Sequence, residues 1–121
     1  MQIWYNPSCS KCRIAGQELA DAGLDVPQRR YLDDVPTAAE LSDVLDRLGM
    51  QPWEITRLGE QVAKDLGMSS WPREAAERDR WIAAMVEHPK LIQRPIVLLD
   101  DGSAVVARTP ESIQSVIDAS R

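Results

Sequence analysis

Two cysteines stand three residues apart in YNPSCSKCRIAG, Tyr5 to Gly16, and they are the only two in the chain. A Cys-x-x-Cys can be a thiol–disulfide couple, half of a metal site, or one working thiol beside a bystander. A structural zinc site needs four ligands, usually cysteine and histidine, and the one histidine here is His88, so no bound metal is expected. Cys9 falls near the expected N-cap of a helix, where unpaired backbone N–H groups and the helix dipole favour a thiolate, and Lys11 and Arg13 bring positive charge close by. Cys9 is therefore the expected nucleophile. Cys12 lies one turn further on, on an apolar stripe where burial disfavours the thiolate, which makes it either a resolving thiol or a small core residue. His88 precedes Pro89 at a helix end, where its imidazole can pair with the last carbonyls, and it reads as structural.

These side chains need a scaffold, and the patterning supplies one. QIWY opens as a short buried strand, NPS turns the chain, and Cys12, Ala15, Leu19 and Ala22 recur at helical spacing until Gly23. VPQRRYL, Val26 to Leu32, reads as a second strand at a sheet edge, because Pro27 is tolerated only there or at a strand's start. Thr37-Ala-Ala-Glu40 is a capping box ahead of the stripe Leu41, Val44, Leu45 and Leu48, which Gly49 stops. From Gln51 to His88 the pattern is helical, interrupted at Met68–Pro72. IVLL and AVVA, joined by Asp-Asp-Gly-Ser, form a hairpin, and Thr109-Pro110-Glu111 starts a last helix that buries Ile113, Val116 and Ile117. The order β-α-β, helical insert, β-β-α predicts an α/β, thioredoxin-like fold with a mixed four-stranded sheet and flanking helices. One domain over residues 1–121 is expected, with a helical insertion over 37–92. Such folds place a cis-proline facing the active cysteine before the returning strand, so Arg94-Pro95 predicts that Arg94 points at Cys9.

Composition narrows the classes. A chain of 121 residues with 44% apolar content can build one core. It shows no basic leader and no apolar run of membrane-spanning length, so a cytoplasmic chain that does not engage a membrane is expected. A net charge of −5 argues against nucleic acid as a partner. An anionic small substrate would need a locally positive pocket. Trp4, Trp53, Trp71 and Trp81 read as core in a chain without phenylalanine.

Four separated pieces resemble the glutaredoxin-type arsenate reductases: YNPSCSKCR, RYLDDVPTAAEL, WEITR, and EHPKLIQRPIV with VVARTPE. The match runs over nearly the whole chain. The resemblance implies Cys9 as nucleophile and Arg57, Arg94 and Arg108 as ligands of the arsenate oxyanion. Three guanidinium forks converging on a helix N-terminus would suit a tetrahedral anion. The resemblance further implies a Cys9–arsenic adduct, release of arsenite by an external thiol, a role in arsenic detoxification, no bound cofactor, and a monomeric chain. The donor would be glutathione, mycothiol, glutaredoxin or thioredoxin. Two departures stand out. Cys12 replaces a residue that is generally not cysteine, which opens an internal Cys9–Cys12 disulfide and points to a donor able to reduce it, thioredoxin or a mycoredoxin-like protein. Tyr5 stands where the family often has a histidine, so Cys9 must rely on the helix terminus, Lys11, Arg13 and Arg94.

Two other readings share the fold and the cysteine pair. One is an Spx-type transcriptional regulator that binds RNA polymerase and senses oxidation; the other is a general thiol–disulfide oxidoreductase. The full set of arginines, with Arg108 in ARTPE, favours the reductase, because the regulators do not generally keep all three.

Overall fold

A computed structural model describes all 121 residues. The chain divides into two compact units, one made of residues 1–34 and 94–121 and the other of residues 35–93.

The first unit carries the sheet. Strand β1 (Gln2–Trp4) buries Ile3 and Trp4, and helix α1 (Ser10–Asp21) buries Cys12, Ala15 and Leu19. Strand β2 is parallel to β1, with Ile3 opposite Gln28 and Trp4 opposite Arg29. It lies at the sheet edge, as Pro27 requires, but spans only Gln28–Arg29 in place of the expected Val26–Leu32. Past Arg29 the chain turns, with Asp33 and Asp34 N–H both donating to the Arg30 carbonyl. Ala22 caps α1 and is exposed, so the buried stripe ends one turn earlier than expected.

Strands β3 (Ile96–Leu98) and β4 (Ala104–Val106) complete a mixed sheet of order β2-β1-β3-β4. β3 is antiparallel to both of its neighbours, with Ile3 opposite Val97 and Val97 opposite Val105. The hairpin turn is closed by Asp101, whose Oδ1 accepts from Ser103 N–H at 2.8 Å, and by Gly102 at φ 89°, a backbone shape that side chains disfavour. Helix α5 (Pro110–Ala119) begins at Thr109, whose side chain accepts from Ser112 N–H, and it buries Ile113, Val116 and Ile117. Together with Ile3, Tyr5, Cys12, Leu19 and Val97 these side chains form one apolar core. The unit is the expected α/β, thioredoxin-like arrangement.

The second unit is helical. Helix α2 (Ala38–Leu48) has the reciprocal capping box of Thr37 and Glu40 and ends at Gly49 with φ 67°. Leu41, Val44 and Leu45 are buried along it, whereas Leu48 is only half-buried. The continuous helix expected after Gln51 is not formed. A 3-10 turn (Pro52–Glu54) is followed by a bend, an isolated bridge at Thr56 and a turn, and then by helix α3, only Gln61–Asp65. The reason lies in long-range pairing: Thr56 bridges Ile92, Arg57 N–H donates to the Leu91 carbonyl at 2.7 Å, and Gln93 N–H donates to the Ile55 carbonyl at 2.8 Å. Those bonds outbid a local helix at the β-branched Ile55-Thr56.

Helix α4 (Arg78–Glu87) buries Trp81, Ile82, Ala84 and Met85. Trp81 is met edge-on by Trp53 and Trp71, with ring centres 6.1 and 5.4 Å away. Of the four tryptophans only Trp4 and Trp81 are buried; Trp53 and Trp71 are partly exposed, and Arg80 lies over the Trp71 ring at 3.8 Å. Arg78 ties α4 to α2 through Ser42 and Asp46. No helix is long and apolar enough to cross a membrane.

Candidate active site

The turn after β1 sets Cys9. Asn6 is nearly buried; its Oδ1 accepts from Ser8 N–H at 3.0 Å and its carbonyl accepts from Cys9 N–H at 3.0 Å. Asn-Pro is a strong turn former, and the Asn6 side chain folds the chain back on itself just before the helix. Cys9 is thereby held as the N-cap of α1, extended at φ −94° and ψ 121°, with its carbonyl accepting the first helical bond from Arg13 N–H at 3.1 Å. Its sulfur thereby sits over the first turn of α1, where the Lys11 and Cys12 N–H groups point toward it.

The two thiols differ sharply. Partial burial pushes the Cys9 thiol up, but hydrogen bonds from the Cys12 N–H, the Cys12 thiol and the Lys11 N–H, with the charge of Arg94, outweigh it and leave Cys9 below the ordinary cysteine value. Cys12 is fully buried in the core. Burial pushes its thiol up to about 11; the Asn6 N–H opposes this, the charge of Cys9 and the bond donated to it add to the rise, and Arg94 opposes it again. Cys9 is therefore the more acidic of the two, and its thiolate, when formed, accepts a hydrogen bond from a protonated Cys12.

Of the three positive side chains expected beside Cys9, only Arg94 acts on it through its charge. Lys11 acts on Cys9 through its backbone N–H, and Arg13 reaches back to the Pro7 carbonyl at 3.4 Å. Both side chains are exposed, where water screens their charge. The charge that reaches the thiols belongs to Arg94, which is only 7% exposed. The Arg94–Pro95 peptide is cis. Arg108, just past β4, donates from Nη1 to the Arg94 carbonyl.

Cys9, Cys12, Arg94 and Arg108 thus belong to one unit, and Arg57 belongs to the helical unit. There Arg57 is held on two edges, Nε against Glu60 Oε1 at 3.2 Å and Nη1 against Gln93 Oε1 at 3.1 Å. His88 ends α4 with Nε2 3.9 Å from Glu87 Oε1, so its imidazole faces a carboxylate and not the helix carbonyls expected. No group of three or more His, Cys, Asp or Glu side chains is arranged to hold a metal. Sequence reasoning overlooked Asn6, Glu60 and Gln93. The i,i+3 spacing of Arg57 and Glu60 was a usable signal for one of them; Gln93, 36 residues from Arg57, left none.

The chain is 56% identical to an uncharacterized protein in the glnII region of Streptomyces viridochromogenes, over 97% of this chain and 98% of that one. It is 34% identical to an arsenate reductase of Neisseria meningitidis serogroup A, over 97% of each chain. The solved structure of an arsenate reductase from Vibrio cholerae superposes with a TM-score of 0.82 at 32% identity, covering 98% of this chain and 95% of that one. Residues 4–116 match the ArsC family, and the chain belongs to that family.

Proposed function

We propose that this arsenate reductase-like oxidoreductase reduces arsenate to arsenite, with Cys9 as nucleophile and Arg57, Arg94 and Arg108 as the arginines that bind the oxyanion. One observation carries the reading: the thiol at the head of α1 is acidified by helix N–H groups and by a nearly buried arginine that acts on both cysteines. That is what attack on an electrophilic, anionic centre requires, a thiolate beside positive charge.

In the first step the Cys9 thiolate forms a sulfur–arsenic bond, an arsenic–oxygen bond breaks, and the departing hydroxide leaves as water with one proton. Arsenic is still pentavalent in this adduct. A second thiolate then attacks the Cys9 sulfur; a disulfide bond forms, the sulfur–arsenic bond breaks, and its electron pair leaves with arsenic as trivalent arsenite. The disulfide has lost two electrons, which an external thiol donor, a low-molecular-weight thiol or a redoxin, restores.

Cys12 is the proposed second thiol. While Cys9 is a thiolate, its charge and the bond it accepts help to hold Cys12 protonated. Adduct formation consumes that charge, so Cys12 becomes more acidic only once there is an adduct to resolve. The order of events is built into the coupling of the pair.

The test is arsenate-dependent oxidation of a thiol donor by the wild type, Cys9→Ser, Cys12→Ser and Arg94→Met. Turnover lost in Cys9→Ser and in Arg94→Met supports the reading. Full activity in Cys12→Ser with glutathione would remove the internal disulfide from the scheme. No turnover by the wild type with any of these donors would refute the arsenate reading as a whole.

A further inference from the structure

We infer that Arg108 is a positioning residue for the working thiol: it holds the backbone of Arg94, the nearly buried cation whose charge reaches Cys9. The inference rests on the reading of Cys9 as the reactive thiol, and it assigns Arg108 a task that is complete before any anion arrives.

The geometry has three parts. First, Arg94 and Arg108 flank the β3–β4 ladder, one just before β3 and the other just after β4, with Ile96 opposite Val106 and the Ala107 N–H on the Pro95 carbonyl at 2.9 Å. The ladder therefore sets the two arginines across from each other. Second, Arg108 Nη1 donates to the main-chain carbonyl of Arg94, an acceptor that belongs to the peptide leading into Pro95. A charged donor on a backbone carbonyl is among the stronger hydrogen bonds available, and it restrains the stem from which the Arg94 side chain extends. Third, Arg94 is nearly buried, whereas Arg108 is partly exposed. A nearly buried guanidinium has little solvent to screen it, so a small displacement of its stem changes the field it exerts.

The charged and titratable groups acting on Cys9 are Cys12, on the same helix, and Arg94, from the segment before β3. Lys11 contributes a backbone N–H, and Arg108 is engaged through Nη1 with the Arg94 carbonyl. Any influence of Arg108 on Cys9 must then pass through Arg94, and this makes the inference testable without arsenate.

The readout is the pH profile of iodoacetamide alkylation of Cys9, measured in a Cys12→Ser background so that one thiol reacts. Arg94→Met should raise the midpoint and slow the reaction about three- to tenfold at a pH below it. Arg108→Met should move the midpoint in the same direction, with about a twofold loss of rate. In the Arg94→Met background, Arg108→Met should change nothing further. Arg108→Lys, which keeps a charged donor, should recover most of the wild-type rate, and it serves as the probe of the same cycle if the methionine variant does not fold.

An unchanged midpoint in Arg108→Met would overturn the inference, and so would a shift of equal size in the presence and absence of Arg94. An unchanged midpoint in Arg94→Met would overturn it at the second link. Failure of the arsenate reading appears elsewhere, as absent turnover by the wild type while the alkylation cycle still holds.

Discussion

Arg94 and Arg57 are the same residue type in two differently built units, and their surroundings give them different capacities. In the sheet unit Arg94 is nearly buried, its carbonyl is held by Arg108, and its charge acts on two thiols. In the helical unit Arg57 is more than a quarter exposed and already carries a carboxylate, Glu60, at 3.2 Å, and an amide, Gln93, at 3.1 Å. A buried, little-screened cation changes the acidity of its neighbours; a partly exposed cation with a resident carboxylate is oriented, but much of its field is already spent on that carboxylate. The first environment suits the generation of a nucleophile and the second suits recognition of an anion that must also be released.

Variants can break this contrast in order of expected effect. Cys9→Ser removes the proposed nucleophile and should lower arsenate turnover at least about a thousandfold in a donor-coupled assay. Arg94→Met should lower kcat/KM by about a hundredfold, with kcat itself reduced, because thiolate formation and stabilisation of charge at the reacting centre both suffer. Arg57→Ala should act chiefly on KM, raising it about tenfold, since what is lost is recognition. If Arg57→Ala were to lower kcat as far as Arg94→Met does, the division between the two arginines would be wrong.

Glu60→Gln sharpens the point. Glutamine keeps an acceptor for Arg57 Nε but removes the competing charge, so KM for arsenate, and the Ki for sulfate or phosphate, should fall about two- to fivefold. A rise in KM would mean that the carboxylate charge is needed to orient Arg57. The smallest effect concerns Cys12. Its thiol is pushed up to about 11 by burial, while an unfolded chain ionises it at its ordinary, lower value. Between those two values the unfolded state binds fewer protons than the folded one, so this group makes stability fall as pH rises through that window. Cys9 works in the opposite sense: its lowered value gives stability that is present at high pH and is lost as pH falls through the folded value. Denaturant melts of wild type and Cys12→Ser at several alkaline pH values should show the steeper decline in the wild type, and parallel declines would contradict the assignment.

Much of the first unit was legible because its signals are local. Asn-Pro, the apolar stripe of α1, Pro27, Asp-Asp-Gly-Ser and Thr109-Pro110 each state a backbone preference within a few residues, and the sheet they imply is the one that forms. The second unit was read less well between Gln51 and Gly67. There the composition is helical, yet the helix is broken by a bridge at Thr56 because its partner is Ile92, some 36 residues along the chain. Local propensity carries no record of such a pairing. In the same way the sequence pointed to Lys11 and Arg13 as the positive charges nearest Cys9. The effective charge came from Arg94, which chain proximity would not have suggested and the fold analogy did.

By itself, then, the sequence determined most elements of the sheet unit, the cysteine at a helix N-cap and the three arginines, because caps, stripes, turns and motifs are written in neighbouring residues. Only the tertiary structure decided which side chains share an environment. Cys12 is protonated because it is sealed in the core, Arg94 is nearly buried and its charge reaches both thiols, Arg108 is committed to the Arg94 carbonyl, and Arg57 is held by Glu60 and Gln93. Those facts depend on burial and on distance in space, and both arise only when remote segments pack.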